Sequence, residues 1–479
     1  MKVDDIDVKD VLKRVRTLLD AEPNLSPALK STLEMLILVV QLMVGRLSLS
    51  SRNSSKPPST DRFPTPPKPK PETQRKAGGQ PGRPGTTLKQ VDHPDQVEHL
   101  PIDRSQLPPD DYTAVGYEVR QVFDIQIRRI VTEYRAEILE NKQGERFMAP
   151  FPEGVTRPVQ YGNSVKVQSV FLSQYQLIPY KRVQEQLRDQ FNLPISAGTV
   201  FSFNQQAYSA LEQFELTAAA HLLRSPVLHS DETGINLGGK NHWLHCVSNN
   251  QWSLFYCHAK RGSEAIEFKE VLNHYRGILV HDHWKPYFKL VCQHALCNAH
   301  HLRELTYAHE QENQVWAKQM HTLLCKINER TKRSGGVLSN WQISRYQSIY
   351  RKIIEKGNLE CPEPTKNENT KGRMKRSKSR NLLERLRDYE TETLRFMVDK
   401  AVPFTNNQGE NDIRMTKVQQ KISGCFRSEE GANIFCRVRS YLSTCTKHNV
   451  SATHAISLLF QGKLPAFMGD PVESATQAE

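Results

Sequence analysis

One run of alternating segments between Val227 and Cys297 constrains the fold of this chain more than any other feature. A short apolar run comes first, and two segments rich in Trp, Leu, Phe and Tyr follow it. A helical stretch that Ser263 opens comes next. An apolar strand that ends at Asp282 and a short fifth strand complete the run. This order predicts an α/β sheet, and ligands usually bind such sheets at the carboxyl ends of the strands.

Acids follow two of these strands, and a third acid lies far downstream. Asp231 and Asp282 end the first and fourth strands, and Glu410 lies on a helix that follows a long helical segment. The order of elements is that of a ribonuclease-H-like core, in which acids from the first and fourth strands meet at the centre of the sheet. Three carboxylates suit two Mg²⁺ or Mn²⁺ ions, which serve in-line displacement at phosphorus. The predicted fold class is α/β, with a ribonuclease-H-like catalytic core and a helical insertion.

Each acid also has a structural alternative. Asp231 can be a strand-end turn residue bonded to its own backbone, with Glu232 as the ligand in its place. Asn407 followed by Glu410 has capping-box spacing, which accounts for that acid without a metal. Asp412 is a substitute for Glu410 as the third acid. These alternatives stay open at the level of the sequence.

Histidines and cysteines near the second acid suggest a different kind of metal site, one for zinc. His281 and His283 flank Asp282, but on a continuing strand they point to the opposite face. A zinc site is a further hypothesis, although its C-x4-C-x2-H-H spacing departs from that of the usual zinc fingers. Its ligands would be Cys292, Cys297, His300 and His301.

Charge and composition limit the class of partner. A formal charge of +13 favours a polyanion, and nucleic acid is the first candidate. No apolar run approaches the roughly 20 residues of a membrane helix. The nine cysteines all lie from Cys246 onward and suggest no disulfide framework. The sequence therefore predicts a cytoplasmic protein without a membrane partner.

The composition changes several times before the sheet region. Residues 1–49 repeat apolar side chains at helical spacing, which predicts a helix and admits a coiled coil between protomers. Residues 50–90 form a basic Pro- and Gly-rich linker, and residues 91–148 alternate as a small β-rich module. Residues 149–222 are helical, with Ser196 as an N-cap in a pattern compatible with helix-turn-helix DNA binding. The remaining predicted segments are the first part of the catalytic core at 223–308, the helical insertion at 309–400, the second part of the core at 401–465 and the tail at 466–479.

Basic side chains cluster after the third acid and in the linker. A solvated helix face is the ordinary explanation, but beside a site for phosphoryl transfer such residues would hold the nucleic-acid backbone. The candidate phosphate contacts are Lys285, Arg414, Lys417, Lys421 and Arg427 near the acids, and Lys68, Lys70, Arg75, Lys76 and Arg83 in the linker.

Several segments, taken in order, resemble the transposases of the insertion-sequence-66 family. They are the arm from SSRNSSKPPS to KAGGQPGRPG, then HSDETG, VHDHWKPY, CNAHHLREL and VPFTNNQGENDIRMTKVQQKISGCFRSEEGA. The resemblance implies a DDE catalytic domain whose acids fall on Asp231, Asp282 and Glu410. It also implies cleavage of double-stranded DNA at the terminal inverted repeats of the element and joining of the freed 3′ hydroxyls to target DNA. Accessory proteins of the same element are implied as partners.

Two segments depart from the pattern of that family. Residues 91–148 contain no cysteine, whereas many members carry a zinc-finger-like module before the helical domain. The family commonly has A-E-R-D around the third acid, and this chain has Gly409-Glu410-Asn411-Asp412. We expect a homo-oligomeric, nucleoid-associated DNA transposase of a prokaryote. The alternatives are a structure-selective nuclease with the same fold and a non-catalytic DNA-binding regulator.

Overall fold

The computed structural model describes residues 2–3, 6–22, 24–47, 49–54, 88–364 and 376–469. The chain divides into two units, of which the smaller spans Phe63–Thr132. Among the described residues, no helix is both long and apolar enough to cross a membrane. The strands of the larger unit are β1 (Lys2–Val3), β2 (Ile6–Asp7), β3 (Ile138–Glu140), β4 (Arg146–Met148), β5 (Val227–Leu237), β6 (Lys240–Ser248), β7 (Ser253–His258), β8 (Ile278–His281) and β9 (Gln293–Leu296).

The larger unit also contains helices, several of which pack against the strands from β5 onward. In chain order they are α1 (Val8–Ala21), α2 (Pro27–Leu47), α3 (Asn163–Val170), α4 (Tyr180–Phe191), α5 (Ala197–Ala210), α6 (Glu212–Leu223), α7 (Ser263–Glu267), α8 (Val271–His274), α9 (Asn298–Glu312), α10 (Val315–Arg333), α11 (Asn340–Glu360), α12 (Lys378–Asp388), α13 (Glu390–Leu394), α14 (Asn407–Ser423), α15 (Glu429–Lys447) and α16 (Ala452–Phe460).

Two helices form the N-terminal region, where the periodicity predicted one. A second helix starts at Pro27, a residue that fits the first turn of a helix, and the Ser26 hydroxyl accepts from the backbone N–H of Leu29 at 3.3 Å. Arg16 of α1 donates to the Gln41 side chain of α2 at 3.3 Å, which places the two helices side by side. Apolar side chains of α2, including Met43, stay exposed. The coiled coil between protomers stays a prediction.

The β-rich module predicted for residues 91–148 is reduced to one exposed hairpin, β3 with β4. Residues 88–132 contain a single 3-10 turn and no strand. Instead of a backbone ladder, the Gln121 side chain accepts from the N–H of Val91 at 2.8 Å and donates to its carbonyl at 2.7 Å. An alternating segment forms a stable strand only when one face is buried, and Val122 and Ile125 are 91% and 82% exposed.

Residues 149–222 are helical from Asn163 onward, as predicted. Ser196 is the N-cap of α5, and its hydroxyl accepts from the N–H of Thr199 at 3.0 Å. A short π-helical segment, Phe171–Tyr175, extends α3. These helices pack against the sheet in one apolar core, which contains Val200 of α5 and Leu228 of β5. A DNA-reading role for them stays a prediction.

A mixed five-stranded sheet of order β7-β6-β5-β8-β9 forms the centre of the larger unit. Strand β6 runs antiparallel to both neighbours, whereas β8 is parallel to β5 and to β9. The five strands and their order in the sequence are those predicted. The helix predicted from Ser263 to Tyr275 is interrupted, because Glu270 adopts a left-handed conformation with φ of 57° between α7 and α8.

Alternating side chains of the sheet enter separate cores on its two faces. Leu228 and Leu279 pack against the helices that precede the sheet, whereas Val280 packs against α9 to α12. Over β6 and β7 the second face is covered by α14 and α15. Helix α15 also protects the edge strand β7, because the Ser440 hydroxyl accepts from the N–H of Phe255 at 2.8 Å.

The helical insertion leaves and rejoins the sheet at one place. The N–H of Asn298, the first residue of α9, donates to the carbonyl of Phe404 at 3.1 Å. Next to it, the N–H of Asn406 donates to the Cys297 sulfur at 3.1 Å. Since α9 runs to Glu312 and shares a core with α10, the predicted start of the insertion at residue 309 falls inside a helix.

Candidate active site

The first two acids lie at the same level on neighbouring parallel strands. In the ladder between β5 and β8, His229 pairs with Val280, so a register that continues for two residues sets Asp231 beside Asp282. The prediction that Asp231 ends its strand is wrong, because β5 continues to Leu237 along its antiparallel partner β6. Asp231 nevertheless lies just beyond the last residue that β8 pairs, which is the position where the sheet opens.

Asp231 has few groups to balance its charge. Its Oδ1 accepts from the N–H of Glu232 at 2.9 Å, and among the described residues no lysine or arginine forms an ion pair with it. Burial raises the pKa of Asp231 well above its usual range, and the charges of Glu232, Asp282 and Glu410 raise it further. A carboxylate in such surroundings favours a bound cation.

Glu232 has protein partners on the opposite face of the strand. Its two oxygens accept from Arg261 Nη2 at 2.6 Å and from the Tyr287 hydroxyl at 2.5 Å. Burial raises the pKa of Glu232, and these two partners oppose the rise. The side chain is only 2% exposed. Its oxygens are therefore already used within the fold, which disfavours the alternative that Glu232 replaces Asp231 as a ligand.

Asn406 joins the helix of the third acid to the strand of the first. Its Oδ1 lies 2.7 Å from His229 Nδ1, and its Nδ2 donates to the carbonyl of Ser230 at 2.8 Å. Asn406 is the N-cap position of α14, but its side chain makes no capping bond because it is used in these contacts. The capping-box alternative for Glu410 is therefore wrong. Glu410 lies in the first turn of α14, where the helix dipole favours a carboxylate.

Glu410 lies closest to a cysteine and a histidine. Its Oε1 is 3.8 Å from the Cys297 sulfur and 3.8 Å from His300 Nδ1. Ligand-type atoms of these three residues lie within 4.8 Å of one another, and no group of this kind among the described residues contains Asp231 and Asp282 with Glu410. The three acids thus face one region of the sheet, as the charge effect of Glu410 on Asp231 indicates, without reaching that mutual distance.

Asp412 is committed to an ion pair inside the protein. Its Oδ2 accepts from Lys447 Nζ at 2.8 Å, and the two side chains are 9% and 10% exposed. The same ammonium donates to the carbonyls of Asn249 and Trp252. This pair ties α14 to α15 and to the β6–β7 turn, which disfavours Asp412 as a substitute for Glu410.

The four residues of the zinc hypothesis do not come together. Cys292 lies in the core under the helices that precede the sheet, and His301 is buried with its Nδ1 3.2 Å from the Asn298 side chain. Burial lowers the pKa of His301 well below its usual range. Only Cys297 and His300 of the four face Glu410. His281 and His283 both pack against Phe288, but β8 ends at His281, so the strand alternation used in the prediction does not extend to Asp282 and His283.

The candidate phosphate contacts divide into three groups. Lys285, Arg414, Lys421 and Arg427 are exposed and form no ion pair among the described residues. Lys417 donates to the carbonyl of Gly234 at 2.9 Å, and burial lowers its pKa. The linker residues Lys68, Lys70, Arg75, Lys76 and Arg83 lie outside the described residues. On α14, Glu410, Arg414, Lys417 and Lys421 follow one another at helical spacing, so they share one face.

Sequence reasoning missed the residues that position the acids. Asn406 could have been noticed as a polar residue directly before the helix of the third acid, although its contacts lie 177 and 176 residues away in the chain. No motif or spacing in the sequence indicates a role for Arg261. Its guanidinium lies 4.9 Å from the Trp243 ring and 4.4 Å from the Trp284 ring while it pairs with Glu232.

One comparison with known families covers the part of the chain that contains these residues. The family model described as "Transposase IS66 family" matches residues 158–434, which is more than half of the chain and includes all three acids. A second model, a "Family of unknown function", matches residues 5–89. The chain has no match among curated proteins.

Proposed function

Because the chain belongs to the IS66 family of transposases, we propose that it cleaves the ends of an insertion sequence and joins the freed 3′ hydroxyls to target DNA. The observation that carries this proposal is the juxtaposition of Asp231 with Asp282 at the open end of two parallel strands. The sheet order β7-β6-β5-β8-β9, with only β6 antiparallel, supports a ribonuclease-H-like core.

The donor set fits hard divalent cations. Asp231 lacks a cationic partner among the described residues, and burial together with the neighbouring carboxylates raises the pKa of its carboxyl. Asp231, Asp282 and Glu410 would hold two Mg²⁺ or Mn²⁺ ions, which would supply the positive charge that stabilises the attacking and departing oxygens at phosphorus. Glu410 would have to turn from Cys297 towards the two aspartates to take part.

The surrounding residues orient this site. Asn406 fixes the start of α14 against β5, and the Asp412–Lys447 pair fixes the same helix against α15. Arg261 and Tyr287 hold Glu232 on the far face, so that Asp231 and Glu232 cannot exchange places. The exposed face of α14 beyond Glu410 would bind DNA phosphates through Arg414 and Lys421.

A strand-transfer assay tests the proposal. The full-length protein is incubated with Mg²⁺, with labelled DNA that carries the inverted repeats flanking its gene, and with a plasmid target. A transposase yields labelled DNA joined to the plasmid. Cleavage without joining would favour the structure-selective nuclease, and binding without cleavage in Mg²⁺ or Mn²⁺ would favour the regulator.

Paired variants separate the acids from their surroundings. Asp231→Asn should abolish cleavage while end binding is retained, because it removes one carboxylate and conserves shape. Asp388→Asn serves as the matched control, since Asp388 is an exposed residue of α12 whose one ion pair within the described segments is with its neighbour Arg387. Full cleavage by Asp231→Asn would exclude Asp231 from the mechanism.

The proposal also includes a homo-oligomeric protein that has accessory proteins of the same element as partners. Light scattering of the protein with and without end DNA tests the oligomeric state.

A further inference from the structure

The third acid has a second set of neighbours that the proposed reaction does not use. Cys297 is the N-cap of α9 and His300 lies in the first turn of that helix, so both side chains stand at the start of α9. Glu410 approaches them from the first turn of α14. Thiol, imidazole and carboxylate therefore converge from two helix N-termini.

The spacing of these atoms is close to that of ligands around a transition-metal ion. A tetrahedral zinc ion with usual bond lengths to sulfur, nitrogen and oxygen separates its ligand atoms by about 3.3–3.6 Å. The Glu410 oxygen lies 3.8 Å from the Cys297 sulfur and 3.8 Å from His300 Nδ1. Both distances to the Glu410 oxygen exceed these values by only a few tenths of an ångström, and the three ligand atoms all lie within 4.8 Å of one another. The Cys297 thiol donates to Glu410 at 3.8 Å, whereas that distance is too long for a nitrogen–oxygen hydrogen bond from His300.

Two further observations point to a ligand at this place. The Nδ1 atom of His300 is buried and has no hydrogen-bond partner among the described residues. The Cys297 sulfur accepts from the N–H of Asn406 at 3.1 Å, a contact that supports a thiolate bound to a metal. A buried polar atom without a partner is costly, and a metal bound by His300 would remove that cost.

We propose that Cys297, His300 and Glu410 bind Zn²⁺ and that this ion inhibits the protein by withholding Glu410 from the two aspartates. The inhibitory part rests on the proposed function, because it requires Glu410 to serve as the third acid. Soft thiolate and imidazole ligands select zinc over magnesium, so Glu410 is the one donor for which the two kinds of ion compete. Three protein ligands leave one coordination position open, which suits a reversible site.

Cobalt binding tests the site without any assay of activity. Co²⁺ is added to the metal-free full-length protein as a spectroscopic substitute for Zn²⁺. A cysteine ligand then produces a sulfur-to-cobalt charge-transfer band. Cys297→Ser should abolish the band, and Glu410→Gln should weaken Co²⁺ affinity by at least about 10-fold, because loss of a ligand costs no less than loss of a residue that only supports one. Two control variants should keep the band. Cys292→Ser removes a thiol from the same segment, and Cys325→Ser removes the thiol that lies 3.9 Å from His321 Nδ1. A band that persists in Cys297→Ser would overturn the site.

Strand cleavage in Mg²⁺ with and without one equivalent of Zn²⁺ tests the inhibition. The ratio of the two rates is compared within each variant, so that any change in the zinc-free rate cancels. Zinc should slow cleavage by the wild type at least about tenfold, because it removes one of the three acids from the magnesium site. For Cys297→Ser, the ratio of the rates with and without zinc should stay near unity. Equal zinc ratios for both proteins would overturn the inhibitory role. If zinc-free protein cleaves nothing while the cobalt band is present, the proposed function fails and the metal site stands.

Discussion

Replacing Asp231 by asparagine should stabilise the protein when divalent ions are absent. The wild-type carboxylate is held next to Glu232 and Asp282, and burial is the largest cause of its raised pKa. Asparagine keeps the shape and removes the charge. An uncompensated buried polar or charged group costs about 1–3 kcal/mol, so the free energy of unfolding should rise by that amount at pH 8. Each kcal/mol corresponds to about 2–4 °C in Tm for a domain of 150–250 residues.

The pH dependence fixes the sign of this effect. An acid whose pKa is higher in the folded state binds its proton more tightly there, so the folded protein loses stability as pH rises above the unfolded pKa of about 3.9. The penalty is complete once pH exceeds the folded pKa of Asp231. The difference between Asp231→Asn and wild type should therefore be small near pH 4 and should grow towards pH 8.

Urea unfolding at several pH values, in EDTA and in Mn²⁺, measures both effects. In EDTA at pH 8 the variant should have the higher midpoint, whereas Mn²⁺ should raise the midpoint of the wild type alone, because binding to the folded state adds stability. Asp388→Asn controls for the general effect of removing an aspartate. A variant that is no more stable than wild type in EDTA at pH 8 would refute the argument that this site carries uncompensated charge.

Three other outcomes are expected. Lys447→Met leaves the buried Asp412 carboxylate without its cation and should lower the free energy of unfolding by about 3–5 kcal/mol in urea; an unchanged midpoint would contradict this. Arg414→Ala should reduce the slope of log binding constant against log salt for end DNA by about 0.9, while the exposed Lys352→Ala should not change it. Met43→Glu should lower the oligomeric state in light scattering, since Met43 is an exposed apolar residue of α2; an unchanged mass would exclude this face as the interface.

The sheet was predictable because its information is local. Each strand from Val227 to Leu296 carries its own apolar pattern, and the order of strands and helices restricts the topology to few arrangements. The neighbourhood of Asp231 and Asp282 then follows from the parallel register. Residues 117–127 have a similar alternating pattern and form no strand, because a pattern cannot specify the surface against which it is buried.

The third acid could be placed only roughly. Nothing in the sequence indicates that Asn406 contacts His229 or that Glu410 lies next to Cys297 and His300, because these contacts join segments separated by more than a hundred residues. The capping-box spacing of Asn407 and Glu410 was misleading for a physical reason. Asn406 occupies the N-cap position, and its side chain hydrogen-bonds to the distant strand β5 in place of the helix backbone.

The common entry and exit of the helical insertion bears on how such a protein can diverge. Since Asn298 and Phe404 are one hydrogen bond apart, the insertion behaves as a cassette whose length does not alter the distance that its ends must span. The entropy of closing a loop grows only slowly with its length. Helices can thus be added to or removed from this cassette over evolutionary time, or a reporter domain can be grafted into it, while the start of α14 keeps its place against β5.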